Sequence, residues 1–118
     1  MTVVELKVDN RVLISRCRVA KDFVSRFVGL MGRTSLSTNE AILFPKCNSV
    51  HTFFMRMPID VILVANDGEV VELITSMHPW RMLAPRKRVK HIIEMAPELA
   101  PKLGISVGTR LVCEEVWK

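Results

Sequence analysis

The sequence predicts one α+β domain, mostly antiparallel β, built as a curved sheet or partly closed barrel with one main helix packed on it. Three observations predict this class. The 118 residues fit a single domain over residues 1–118. Segments with strand periodicity outnumber segments with helical periodicity, and turn residues separate them. The chain shows no series of strand–helix–strand units, so a doubly wound parallel sheet is not expected.

The first two predicted strands form a hairpin. Residues 2–8 alternate apolar and polar side chains, and the second half of residues 11–19 does the same. This alternation is the period of a half-buried strand. Asp9 and Asn10 stand between the two segments, and both residue types favour turns.

The main helix is predicted over residues 20–31. Apolar residues recur there at spacings of three and four, which places them along one face of a helix. Gly29 weakens this prediction by about 1 kcal/mol relative to alanine. Gly32 is expected to end the helix, and residues 34–40 then form a polar loop.

Six further strands and one short helix complete the prediction. The strands are expected at residues 41–44, 50–55, 59–65, 70–75, 89–95 and 109–116. Asn66, Asp67 and Gly68 form a hairpin turn between two of them, because these residue types tolerate positive φ. The short helix is predicted over residues 97–103, and Gly104 ends it.

Composition bounds the environment of the protein. The chain carries 17 Lys and Arg against 12 Asp and Glu, a net charge of +5 that favours an anionic partner. Its first ten residues alternate, and its longest apolar run, residues 61–65, is far shorter than the roughly 20 residues of a membrane span. We expect a cytoplasmic monomer or weak dimer without a membrane partner. Cys17, Cys47 and Cys113 are expected to be reduced.

One stretch, residues 47–64 with the sequence CNSVHTFFMRMPIDVILV, interleaves reactive and apolar side chains. If residues 48–57 form one strand, Asn48, Thr52 and Arg56 share a face, because alternate side chains point to the same side. An amide, a hydroxyl and a guanidinium in line require hydrogen-bond partners or a cleft. The guanidinium suits a carboxylate or a phosphate.

The predicted binding site extends from this strand to the HPWR loop. Trp80 and Arg81 of that loop would supply an aromatic wall and a second cation, and His51 and Asp60 would lie at the two ends. We therefore predict a cleft for a small polar or anionic ligand. In the alternative, Arg56 and Asp60 form an ion pair that fixes the bend of the chain between them.

A hydrolase-type enzyme using His51, Asp60 or Cys47 is an alternative function. Four residues of extended strand would separate Cys47 from His51 by about 13 Å, too far for a nucleophile and its base. No catalytic residue is therefore assigned. The sequence has no closely spaced pair of cysteines or histidines, so neither a metal nor another cofactor is expected.

Single-stranded nucleic acid is the second alternative partner. The sequence contains a basic run formed by Arg86, Lys87, Arg88 and Lys90. Small β-barrels use such charge, together with aromatic side chains, to bind single strands. Trp80 is the clear candidate for stacking on a base. Trp117 is expected at a frayed chain end, and His91 is expected to be a half-exposed strand residue.

Five segments resemble a known family. GLMGR at residues 29–33, the stretch at residues 47–64, and then DGEVVE, HPWR and LGISVG are similar to the family called domain of unknown function 192. The resemblance covers roughly residues 3–115. It implies a small, single-domain, β-rich α+β protein and implies no reaction. Val28 stands where the family often has arginine, and Thr109 where it often has an acid.

Overall fold

The computed structural model describes residues 2–21, 33–52 and 55–117. The main helix predicted over residues 20–31 lies outside the described residues, except for its first two positions. Within the described ranges, no helix is long and apolar enough to cross a membrane.

The described part of the chain forms eight strands and one short helix. The strands are β1 (Thr2–Val8), β2 (Arg11–Val19), β3 (Glu40–Pro45), β4 (Val50–His51), β5 (Ile59–Val64), β6 (Val70–Met77), β7 (Met82–Leu83) and β8 (His91–Met95). The helix, α1, spans Leu99–Lys102. The predicted β1–β2 hairpin is confirmed. The predictions for β3, β5, β6 and β8 are confirmed with ends that differ by no more than two residues.

Six of these strands form one sheet, in the order β1-β2-β3-β8-β5-β6. The neighbouring pairs are antiparallel except β2 and β3, which run parallel. The mostly β class is therefore confirmed, and a curved antiparallel sheet fits this order. The described strands do not close the sheet, since β1 and β6 are its edges, and the predicted barrel is not confirmed. β4 and β7 pair separately as a two-stranded sheet.

The two faces of the six-stranded sheet bury separate apolar clusters. The cluster on one face, shared with α1 and the C-terminal segment, includes Leu43, Ile62, Ile93, Leu99 and Leu111. The cluster on the other face includes Ile42, Phe44, Met57, Val61 and Ile92. Because both faces are covered, all six residues of β5 are buried. This explains why its sequence, IDVILV, reads as an almost continuous apolar run.

The last predicted strand, over residues 109–116, is wrong. This segment makes two isolated bridges, one between Arg110 and Glu69 and one between Val112 and Lys7. Arg110 therefore pairs with the turn before β6, and Val112 pairs with β1, without forming a continuous strand. The chain then turns, and the Trp117 N–H donates to the Cys113 carbonyl at 3.0 Å.

Candidate functional site

The strand predicted over residues 48–57 is wrong, because among the described residues of this stretch extended pairing is limited to β4. Thr52 is fully buried, whereas Asn48 and Arg56 are exposed. The Thr52 carbonyl accepts two backbone N–H groups, from Met55 at 3.2 Å and from Trp80 at 2.9 Å. These bonds turn the chain after β4 and end the regular alternation. Asn48, Thr52 and Arg56 therefore do not lie along one strand face.

Thr52 instead holds the loop of residues 78–81, which we call the Trp80 loop. Its Oγ1 donates to the His78 carbonyl at 2.8 Å and accepts from the Arg81 N–H at 2.8 Å. The Thr52 N–H also donates to the Arg81 carbonyl at 2.8 Å. The loop is thereby fixed with Trp80 in the left-handed region, at φ 64°, and with 57% of this residue exposed.

Asp60 is buried and is bonded to the backbone rather than to Arg56. Its Oδ1 accepts the N–H groups of Ser76 at 2.9 Å and Glu98 at 2.8 Å. Its Oδ2 accepts the Ala100 N–H at 2.8 Å, in the first turn of α1. The predicted Arg56–Asp60 ion pair is therefore wrong. Asp60 ties β5 to β6 and to α1, which also leaves it poorly placed to act on a ligand.

A polar cleft of about 550 Å³ opens at the end of the sheet where β3 and β5 finish and β8 begins. Its wall is formed by Lys46, Cys47, Asn48, Asn66, Val89, Lys90, His91, Val116 and Trp117. We call it the His91 cleft. Of the residues predicted for the small-ligand site, Asn48 lines this cleft, whereas His51, Thr52, Arg56, Asp60, Trp80 and Arg81 do not. Cys47 and Lys90, which were named for the alternative functions, also line it. Arg81 is an exposed residue of the Trp80 loop, and His51 is exposed and pairs with Met82 directly after that loop.

His91 forms the floor of the cleft and is 95% buried, so the expectation of a half-exposed residue is wrong. Its Nδ1 accepts the Lys46 N–H at 3.3 Å. Burial lowers the pKa of His91, so the ring is neutral at pH 7. Because Nδ1 is the acceptor, the single ring proton lies on Nε2. This N–H donor is buried and has no hydrogen-bond partner among the described residues.

Trp117 fixes the His91 ring from one side. The two rings are stacked with centroids 5.0 Å apart and planes 24° apart. The Trp117 Nε1–H donates to the Leu111 carbonyl at 3.0 Å, and the side chain is buried. The expectation of a frayed end at Trp117 is therefore wrong. The periodicity of the sequence could not predict this contact, because Trp117 lies 26 positions after His91 in a segment without regular secondary structure.

Gly68 permits this packing. Its φ is +96°, and a Cβ there would overlap the Leu111 carbonyl oxygen and lie 2.5 Å from Trp117 Nε1. Gly68→Ala is expected to lower the free energy of unfolding by about 2–4 kcal/mol, the combined cost of positive φ and overpacking. Gly104→Ala is the matched control: it has φ +80° but nothing within 4 Å of the added Cβ. Equal losses in urea denaturation would contradict a steric role for Gly68.

Two lysines give the cleft its positive charge. Lys46 and Lys90 are exposed at its rim, and the Cys47 N–H donates to the Lys90 carbonyl at 2.9 Å, which joins the two segments. Lys46 adopts φ 54°, a conformation that costs energy for a residue with a Cβ. Strain of this kind is often found at binding sites. Cys47 donates its thiol proton to the Ser49 carbonyl at 3.1 Å.

The cysteines and the other polar groups offer little further chemistry. All three cysteines are free thiols. Burial raises the pKa of Cys17 to about 12 and that of Cys113 to about 11, so both stay protonated at neutral pH. In the described ranges, no group of three His, Cys, Asp or Glu side chains is arranged to hold a metal ion.

The basic run is partly neutralised by β6 and the turn before it. Arg86 contacts Glu72 at 3.2 Å, and Arg88 contacts Glu69 at 3.7 Å. Lys87 and Lys90 take part in no ion pair between described residues. The run therefore presents less free positive charge than its sequence indicates.

Glu94 is a buried acid that the sequence reasoning missed. It lies in β8 opposite Ile42 and Val61, on the face of the sheet whose apolar cluster contains those two residues, and is 4% exposed. Burial raises its pKa to about 8. An acid between two isoleucines and a methionine in IIEM is the signal that was available, because such a position is expected to be apolar.

Comparisons with known proteins identify the family. The model of domain of unknown function 192, described as an uncharacterised ACR, matches residues 4–113. A UPF0127 protein of Pyrococcus furiosus is 38% identical over 97 residues, which are 80% of this chain and 83% of that protein. A UPF0127 protein of Thermococcus sibiricus is 32% identical over 109 residues, which are 89% of this chain and 70% of that protein.

Two crystal structures share the fold at 23% identity and a TM-score of 0.79. One is a protein of unknown function from Novosphingobium aromaticivorans, with 94% of this chain and 84% of that chain covered. The other is described as a putative transcription regulator from Sinorhizobium meliloti, with 93% and 91% covered. At this identity the likeness extends to the fold alone. With the family model matching almost its whole length, the chain belongs to the domain of unknown function 192 family, which is uncharacterised.

Proposed function

We propose that the protein binds a small anionic ligand, bearing a carboxylate or a phosphate, in the His91 cleft. The observation that carries this proposal is the buried Nε2–H of His91, which lacks a partner among the described residues. A buried donor without an acceptor costs about 1–3 kcal/mol. Less than 1 Å² of this nitrogen is accessible, so the cleft wall has to shift before an anionic oxygen reaches it. The oxygen would then accept this proton and recover that cost.

The surroundings of His91 select for negative charge. Lys46 and Lys90 stand at the rim, and Asn48 and Asn66 add amide groups. Among the described residues, no acidic side chain lines this cleft. A volume of about 550 Å³ suits a ligand of metabolite size, since such sites commonly measure about 300–1,000 Å³.

This proposal keeps the ligand class inferred from the sequence, but it places the ligand beside His91 instead of beside Thr52 and Arg56. The Thr52 hydroxyl is engaged by the Trp80 loop, and the Asp60 carboxylate is engaged by three backbone N–H groups. These two side chains have their hydrogen bonds within the protein. The imidazole of His91 and the ammonium groups of Lys46 and Lys90 are better placed to contact a ligand.

Phosphate titration tests the proposal with a charge-matched control. Lys46→Gln/Lys90→Gln removes the rim charge, and Arg11→Gln/Lys102→Gln lowers the net charge equally at exposed positions outside the cleft. We expect inorganic phosphate to shift the backbone amide signals of cleft residues in the wild type. The cleft variant is expected to bind about tenfold more weakly, because it loses two charge-assisted contacts. Equal affinities for the two variants would refute the proposal.

A further inference from the structure

The positive charge of the protein is concentrated in two segments. Residues 41–59 and residues 73–93 contain no Asp or Glu. They contain seven of the Lys and Arg residues: Lys46, Arg56, Arg81, Arg86, Lys87, Arg88 and Lys90. Since the whole chain has a net charge of +5, the rest of the sequence carries a net charge of −2.

Residues 47–52 of the first segment run beside residues 80–90 of the second. The Cys47 N–H bonds to the Lys90 carbonyl, and the Arg86 N–H bonds to the Asn48 carbonyl at 3.3 Å. β4 then pairs with β7, and Thr52 bonds to the Trp80 loop. We call this continuous surface the basic face. It extends from the His91 cleft at one end to the Trp80 loop at the other. Cys47 and Thr52, which mark these two ends, are five residues apart, at most about 18 Å of extended chain.

The far end of the basic face carries exposed apolar side chains. Trp80 is 57% exposed and Met82 is 67% exposed. Arg81 lies between them in the sequence, and it is also exposed. Hydrogen bonds from Thr52 hold the loop, so the indole is presented on a fixed backbone at positive φ. A rigid, exposed aromatic ring beside a cation is a platform on which flat rings stack.

We infer that the anionic group bound by the His91 cleft belongs to a single-stranded nucleic acid, one of whose bases stacks on Trp80. This inference rests on the proposed function, because the cleft supplies the phosphate site. Lys46 and Lys90 would contact one phosphate, and Arg81, Arg56 and Lys87 would contact neighbouring ones. Each of these five cations is exposed, and none forms an ion pair with another described residue.

The geometry favours a nucleic acid over two other anionic partners. A membrane surface presents its phosphates in one plane and offers no flat rings for Trp80, so it would not occupy both the cleft and the aromatic platform. An acidic peptide would satisfy the cations but has no regular supply of flat rings for Trp80. A single strand alternates phosphates and flat bases, which matches a phosphate site and an aromatic platform on one surface.

Fluorescence anisotropy with a labelled oligothymidylate about ten nucleotides long tests the inference, since single-strand binding sites commonly cover about 4–16 nucleotides. We expect Trp80→Leu, which keeps an apolar side chain but removes the flat ring, to raise the Kd about tenfold. Lys46→Gln/Lys90→Gln is expected to raise it by a similar factor relative to Arg11→Gln/Lys102→Gln. The logarithm of the affinity should fall against the logarithm of salt concentration with a slope of about −3, for about four phosphates.

Several results would overturn the inference. One is an unchanged Kd for Trp80→Leu when its melting temperature matches the wild type. Another is an affinity that salt does not change, or equal Kd values for the two double variants. Binding to phosphatidylglycerol vesicles or to polyglutamate in place of the oligonucleotide would assign the basic face to a different partner. Phosphate binding without oligonucleotide binding overturns this inference and leaves the proposed function standing, whereas loss of both refutes both.

Discussion

Asp60→Ala is expected to lower the free energy of unfolding by about 3–5 kcal/mol, a loss at the upper end of single substitutions. Asp60 is fully buried and accepts three backbone N–H groups, from Ser76, Glu98 and Ala100. Alanine would leave all three donors without this acceptor. Each unsatisfied buried donor costs about 1–3 kcal/mol.

The same carboxylate holds two strained residues in place. Ser76 has φ 49° and Glu98 has φ 64°, and both are bonded to Asp60 Oδ1. Positive φ costs about 1–2 kcal/mol per residue with a Cβ, so these conformations need support from the surrounding structure. Without Asp60, the start of α1 and the end of β6 are expected to relax.

Urea denaturation of Asp60→Ala and Asp60→Asn measures this role. Asparagine keeps one oxygen acceptor, so it is expected to lose less stability than alanine. Asp67→Ala is the control, because Asp67 is exposed and its contacts with Arg110 and the Glu69 N–H are in solvent. It is expected to cost only a small part of the stability lost in Asp60→Ala. Equal losses for Asp60→Ala and Asp67→Ala would contradict a structural role for Asp60.

Glu94→Gln is expected to make the protein more stable at pH 7, by about 3 kcal/mol, and to change little at pH 4.5. The pKa of Glu94 is raised by burial from 4.5 to about 8 in the folded protein. Between these values the unfolded chain releases this proton and the folded chain keeps it. The stability of the wild type therefore falls as pH rises, by about 1.4 kcal/mol per pH unit.

Denaturation midpoints between pH 4.5 and pH 8 test the sign and the size of this effect. Glutamine does not titrate, so the difference between variant and wild type is expected to grow across this window and to level off above pH 8. Glu114→Gln, at an exposed position, serves as the control and is expected to leave the pH profile unchanged. Parallel profiles for wild type and Glu94→Gln would contradict the claim that burial raises the pKa of Glu94 in the folded protein.

Local periodicity was sufficient to predict most of the sheet. Alternation identified β1 and β2, and turn residues at Asn66 and Gly68 identified the β5–β6 hairpin. The parallel pairing of β2 with β3 could not be predicted from the periodicity of apolar residues, because the pairing depends on the path of the chain between the two strands. The predicted strand after β4 failed because its Thr52 carbonyl bonds to the Trp80 loop, 28 residues away.

Of the residues that line the cleft, Asn48 was predicted for the ligand site and His91 was not. The proposed ligand class comes from the charge and from the side-chain types near Asn48, and it stays a prediction. The position of His91 required its stacking on Trp117, and this contact depends on close approach of the chain at Gly68. Contacts between distant irregular segments leave no periodic pattern in the sequence, so the centre of the cleft was not predicted.

The most direct test of the proposed function observes the His91 ring itself. A long-range ¹H–¹⁵N spectrum at pH 7 distinguishes a protonated from an unprotonated ring nitrogen and can be followed as inorganic phosphate is added. We expect an unprotonated Nδ1 and a protonated Nε2 whose signal shifts in a saturable manner with phosphate, and the same shift in Lys46→Gln/Lys90→Gln only at about tenfold higher phosphate. A proton on Nδ1, or an Nε2 signal unchanged at saturating phosphate, would contradict the proposed anion site.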